Sequence, residues 1–384
     1  MATITEDQLT ARAIDLGELA TRLQTQHTAR QDVVAPARRL RMDGGRLIAD
    51  LPTGDPIVSP AGISSTMALR PTDLGLGDLA DKLGIPAGYL RRMRGEGATA
   101  LLDHNVNEWL ARQDDRRYLV RGLVGDDGTG LLRALLSGNY EIADNLDVLL
   151  AMLDGLKETG VNAVPTQCDL SARRMYVTVT SPQIAVLAPG LLRNYVSPFT
   201  GERGVDNPLV FAGFVLSNSE TGDGAWTITP RLEIQVCHNG LVLDTLRVRK
   251  PHIGGRLPDG AVQWSADTQQ TNRLLIKQKT RDAVTSFLDE QWLTARIGEV
   301  ERAAGVRVSN PTEVIERVST QLRFSETEQQ TILDHFLLGG DPTSGGVLQA
   351  VTSAAQKVGD PDTARGMEAV GLRAMRIAAD FARN

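Results

Sequence analysis

A double switch in hydrophobic period constrains this chain more than any other feature. Up to about Arg117, apolar residues recur at helical spacing in segments such as EDQLTARAIDLGELATRL and LGDLADKLGIPAGYLRRM. From about Tyr118 to Trp264 the period falls to two. The runs YLVRGLVGDDGTG, RMYVTVTSPQ, LVFAGFVLSNSETG and AWTITPRLEIQVCHNGLVLDTLRVRK are divided by DDG, SETGDG and HNG turn chemistry. From about Asp267 the helical period returns. This order predicts an α+β fold, a central antiparallel sheet with helices packed on one face. The expected regions are a mainly helical 1–117, a β-rich core 118–266 and a helical 267–384.

Finer features follow the same logic. APARRLRMDGGRLIADLPTGDPIVSP alternates polar and apolar residues around Gly-Gly and predicts a strand pair. A helix is expected over Asn145–Glu158, with Leu146, Leu149, Leu150 and Leu153 on its buried face and Asp144 as N-cap. The run TQQTNRLLIKQKTRDAVTSFLDEQWLTARIGEVERAAG predicts one long helix or two, and two more are expected after the polar LGGDPTSGG.

Several function classes are disfavoured by what the residues lack. No window approaches eighteen consecutive apolar residues, so no membrane span is expected, and the acidic N-terminus is unlike a signal peptide. Cys168 and Cys237 are too few for a disulfide framework and read as reduced thiols in a bacterial cytoplasm. The five histidines are scattered and no C-x-x-C or H-E-x-x-H spacing exists, so no metal site is expected. GDDGTG has no following Lys-Ser/Thr, and there is no G-x-S-x-G elbow. Neither a catalytic residue nor a cofactor is therefore expected. Asp223, Glu233 and Gln235 loosely follow a metal-dependent nuclease order, although alternate polar residues also mark any half-exposed strand. Asn218, Ser219 and Glu220 read as turn formers in SNSETGDG, with a site-lining role as the alternative.

Charge is the strongest pointer to a partner. The whole chain carries −6, yet between Arg231 and Arg281 nine basic residues face four acidic ones. Arg247, Arg249 and Lys250 close a strand, while Arg273, Lys277 and Arg281 recur every four residues along a helix, with Lys279 between them. Such rows are expected either to wall a groove for a phosphate backbone or to form a solvated face. The N-terminal LGDLADKLGIPAGYLRRM fits a helix-turn-helix, with Ala80 at the helix crossing, Gly84 in the turn and Leu90 in the core. Arg91, Arg92 and Arg94 would then lie near phosphates, although an ordinary helical hairpin has the same pattern.

Three segments carry a family resemblance. LLRALLSGNYEIADNLDVL, FAGFVLSNSETGDGAWTITPRLEIQVCHNGLVL and the tail GGVLQAVTSAAQKVGDPDTARGMEAVGLRAMRIAADFA resemble the phage and plasmid protein family known as domain of unknown function 932. The resemblance runs from about Arg39 to the C-terminus. It departs at KPHIGGRLPDGAVQWSADTQQTN, which lacks the Arg-His-Thr run of many relatives. It implies a phage or plasmid context, since the family carries no assigned chemistry. Strands followed by a basic helix are also similar in outline to phage single-strand-annealing proteins. The expected function is single-stranded-DNA binding or annealing without ATP, by a homo-oligomer. A phage interaction protein with no nucleic-acid contact is the alternative, and a metal-dependent nuclease is the second alternative.

Overall fold

In the computed structural model the period-two strands divide between two sheets instead of forming one. The structure describes residues 4–51, 57–59, 62–113, 116–126, 128–140, 142–237, 240–243, 246–250 and 266–383. Arg256 and His238 lie outside these, and Lys250 is described by its backbone alone.

The first third of the chain runs β1 (Ala11–Ile14), α1 (Leu16–Ala29), β2 (Arg30–Pro36), β3 (Leu40–Asp43), β4 (Arg46–Asp50), β5 (Ile57–Ser59), β6 (Gly62–Ser64) and β7 (Thr66–Pro71). Then come α2 (Asp73–Leu83), α3 (Ala87–Gly95) and α4 (Thr99–Ala111), followed by β8 (Arg117–Val124) and β9 (Gly130–Ser137). The strand pair around Gly44-Gly45 forms as expected, with both glycines at positive φ in the turn. Gly84 ends α2 in the left-handed conformation, and Ala80 and Leu90 are fully buried at the α2–α3 crossing.

A correction concerns β8 and β9. They do not join the later strands, but complete a six-stranded sheet of order β2-β8-β9-β7-β4-β3 with the N-terminal strands. Pairing is antiparallel except for β7 with β9. Leu69, Leu79, Leu90, Val106, Val120 and Leu132 join this sheet to α2, α3 and α4 in one core. The change of period near residue 117 is therefore not a boundary between packed units.

The rest runs α5 (Asn145–Thr159), β10 (Val164–Leu170), β11 (Met175–Leu187), α6 (Pro189–Leu192), β12 (Leu209–Asn218), β13 (Trp226–Ile234), β14 (Gly240–Val242) and β15 (Val248–Lys250). Six helices follow: α7 (Ala266–Phe287), α8 (Glu290–Ala304), α9 (Pro311–Leu322), α10 (Glu326–Gly339), α11 (Ser344–Ala355) and α12 (Pro361–Arg383). The expected long helix is two, because the Asp289 side chain accepts the Trp292 N–H and starts α8 afresh. Strands β10 to β14 form a large antiparallel sheet, with β1 on one edge and β15 also pairing with β13. The chain is thus α+β, with a helical C-terminal region.

Helices cover both faces of this sheet, not one. Ala212, Phe214, Leu216, Ile228 and Leu232 face Met152 and Leu156 of α5 and Ile276 and Val284 of α7 in one core. Pleating sends Thr178, Ser217, Thr227, Thr229, Arg231 and Glu233 to the other face, where α12 lies. Helix α5 buries Val148, Leu149, Met152 and Leu156, whereas Leu150 is 52% exposed, contrary to its expected place. Among the described residues no helix is long and apolar enough to cross a membrane, and both cysteines are buried and form no disulfide.

Candidate functional site

The two basic rows do not share a groove. Arg249 pairs directly with Thr227 of β13, so both side chains project to the polar face of the large sheet. Arg247, two residues earlier, falls on that face as well. Helix α7 lies on the opposite face, because its apolar stripe must bury against Phe214 and Ile228. That orientation turns the basic stripe toward α5, whose acids answer it. Arg273 lies 3.6 Å from Asp147, Lys277 2.6 Å from Glu158, and Arg281 4.0 Å from Glu158 and 3.0 Å from Asp282. The hydrogen bond from Lys277 to Glu158 raises the Lys277 pKa. Lys279 is half a turn from this row and points away from it.

Arg247 instead lines a cavity of about 420 Å³ between the polar sheet face and the start of α12. Tyr176, Val215, Ser217, Thr227 and Thr229 make its floor, from three adjacent strands. Asp362, Arg365, Gly366 and Ala369 of α12 stand opposite, and Arg173, Arg174 and Asp223 close one end. The turn between β10 and β11 fixes the paired arginines, because the Ser171 hydroxyl accepts the N–H groups of Arg173 and Arg174 at 3.1 and 2.9 Å. Arg173 then meets the Asp223 carboxylate at 2.8 Å, and Arg174 donates to the Asp223 carbonyl.

Beneath the cavity the charges are held fast. Arg365, 7% exposed, donates to Asp169 at 2.6 Å, to Thr178 at 2.8 Å and to Glu368 at 2.8 Å. Burial opposes the charge on Asp169, but Arg365, the Ala13 N–H and Gln167 outweigh it and hold the Asp169 carboxyl below its usual range. Tyr176 donates its hydroxyl to Asp362 at 2.8 Å. Charge counting along the sequence missed Arg173, Arg174 and Arg365. The first two were visible as an Arg-Arg pair in a short hairpin turn, but Arg365 is 196 residues from its partner Asp169.

Elsewhere the candidate residues are bound into the structure. Arg92 pairs with Glu96 at 2.8 Å, while Arg94 reaches back to Asp73 at the start of α2 and to the Pro71 carbonyl. Arg91 is exposed on α3. In the hairpin, Arg94 is thus a strut between helices. Glu233 accepts from Arg231 at 2.6 Å and from Thr180 at 2.8 Å, far along β13 from Asp223. Among the described residues no group of three or more His, Cys, Asp or Glu side chains is placed to hold a metal ion.

Asn218, Ser219 and Glu220 do more than form a turn. Asn218 donates to Asn145 and to the Ala143 carbonyl, and the Ser219 hydroxyl accepts the Asp223 N–H at 2.9 Å. Glu220 enters a buried charge network between the two sheets, with Arg121 and Arg133 from the smaller sheet and Asp144 at the head of α5. Asp144 gives its carboxylate to Arg121 and Arg30 and makes no side-chain cap on α5. Among known proteins, no family model, no curated protein and no solved structure matches the chain.

Proposed function

We propose that this chain is a single-stranded-DNA-binding or annealing protein of phage or plasmid type, acting as an oligomer. Its binding surface is the cavity between the polar face of the large sheet and α12, with the exposed Arg249 beside it. The supporting observation is the gathering of Arg173, Arg174 and Arg247 around one cavity in a chain of net charge −6, with Arg249 on the same sheet face. Guanidinium groups suit phosphate because their fork presents several donors to its oxygens. These groups come from two segments distant in sequence, the β10–β11 turn and the segment that runs into β15. The helix row Arg273, Lys277 and Arg281 has no part in this reading, since Asp147 and Glu158 of α5 and Asp282 of α7 already pair with it.

Salt dependence tests the reading. On a single strand each neutralised phosphate contributes a log–log salt slope of about −0.7, so three contacts, from Arg174, Arg247 and Arg249, give about −2.1. Replacing Arg174 and Arg249 together by Ala should flatten the slope by about 1.4. Fluorescence anisotropy with a labelled oligonucleotide at several salt concentrations measures it. A protein that ignores single-stranded DNA at low salt overturns the proposal.

A further inference from the structure

We infer that the arginine cavity seats a phosphomonoester dianion, the terminal phosphate of a strand, so that the protein recognises strand ends. This rests on the single-strand reading above and specifies which part of the strand enters the site.

Size argues first. The cavity, about 420 Å³, falls in the range of about 300–1,000 Å³ typical of small-molecule sites. It holds one nucleotide-sized group, not a run of them, and Arg249 outside it is left to meet the neighbouring backbone. Charge argues second. Four arginines line the cavity, and because Asp169 and Glu368 hold Arg365 and Asp223 holds Arg173, the charge offered at the wall centres on Arg174. A backbone diester carries a single negative charge, whereas a terminal phosphomonoester carries about −1.5 to −2 at pH 7. The dianion, with the greater charge, gains more from Arg174 than a diester does.

The individual partners sharpen this. Arg365 is saturated by Asp169 and Glu368, and Arg173 by Asp223, so these two act as a frame. Arg174 is different. It is half-buried and donates to a backbone carbonyl, and among the described residues no carboxylate pairs with it. It stands at the cavity wall with Arg247, above the Thr227 and Thr229 hydroxyls. A charge-assisted hydrogen bond is roughly twice as strong as a neutral one, and partial enclosure raises its value further.

One oligonucleotide sequence in three forms tests the inference: 5′-phosphorylated, 3′-phosphorylated and hydroxyl at both ends. Deoxynucleoside 5′-monophosphate serves as a fourth ligand. At pH 7.5 one phosphorylated form should bind about tenfold tighter or more than the hydroxyl form, and the better end identifies the polarity. The advantage should shrink at pH 5.5, because the second phosphate proton binds with a pKa of about 6. Arg174→Gln should reduce the ratio to about one, and Arg247→Gln serves if the first variant fails to fold. Equal binding of all three forms overturns the end-recognition inference and leaves single-strand binding standing. Binding of the monophosphate with no binding of any strand overturns the single-strand reading, and recognition of strand ends with it.

Discussion

Glu220 lies 2.5 Å from Arg133, and its other carboxylate oxygen accepts the Asn145 N–H at 2.9 Å. One buried side chain from the end of β12 thus caps α5 and ties the large sheet to the small one. Burial by itself would raise the Glu220 pKa, but Arg133 and Arg121 outweigh it and bring it down to about 2. Glu220→Gln leaves two arginines underneutralised in a closed space. It should cost about 3–5 kcal/mol of unfolding free energy in urea titration. Because the folded pKa lies below the unfolded value of about 4.5, the stabilisation is complete above that pH. It fades as the pH falls toward 2, and the Gln variant should lack this acid limb. A loss below about 1 kcal/mol would show that the network relaxes around the substitution.

Asp78 has the opposite sign. Pairing of β7 with β9 ends at Pro71 and Leu132, where α2 takes over, and Asp78 accepts the Leu135 N–H at 3.0 Å. Burial pushes its carboxyl up to about 7, against the lowering effect of that hydrogen bond. The folded state therefore holds the proton more tightly than the unfolded state, and stability falls as pH rises from about 4 to 7. Asp78→Asn keeps the acceptor and removes the charge. Its melting temperature should exceed the parent's at pH 8 and differ little at pH 4. An unchanged pH profile would remove Asp78 as the cause.

The helix and strand rows predict different salt behaviour. Lys277→Ala should leave the single-strand salt slope unchanged, since its partner is Glu158. Arg249→Ala should flatten the slope by about 0.7. A flatter slope for Lys277→Ala would restore the helix to the binding surface and count against the sheet-face site.

Two helical glycines separate propensity from packing. A Cβ on Gly155 would lie 2.6 Å from the Lys277 carbonyl oxygen, where α5 and α7 touch. A Cβ on Gly88 would meet nothing within 4 Å. Gly155→Ala should destabilise by about 1–3 kcal/mol despite its better helix propensity. Gly88→Ala should stabilise by about 0.5–1 kcal/mol. Urea midpoints measured side by side decide it, and similar values for both would refute the close α5–α7 contact.

Local signals reached as far as local physics does. Hydrophobic period placed α2, α5, α7 and the strands β8, β11, β12 and β13, but not β9 or β10, and the Gly84 turn followed from the need for positive φ. Helices α9 and α10 went unread although their start signals were visible. Asn310 precedes Pro311 at one, and Ser325 forms a capping box with Glu328 at the other.

Partner choice was not local. The apolar runs of β8 and β9 are compatible with either sheet, and only the packing of α2 against β9 and the pairing of β2 with β8 selected the smaller one. Charge shows the same division. The sequence determined that Arg247 and Arg249 share a strand face and that Arg273, Lys277 and Arg281 share a helix face, because backbone geometry fixes both periods. Tertiary structure alone decided that the strand row opens on a cavity with Arg173 and Arg174 while the helix row meets Asp147 and Glu158. The reason is that apolar burial orients each element as a whole, and its charged residues face whatever neighbour that burial brings.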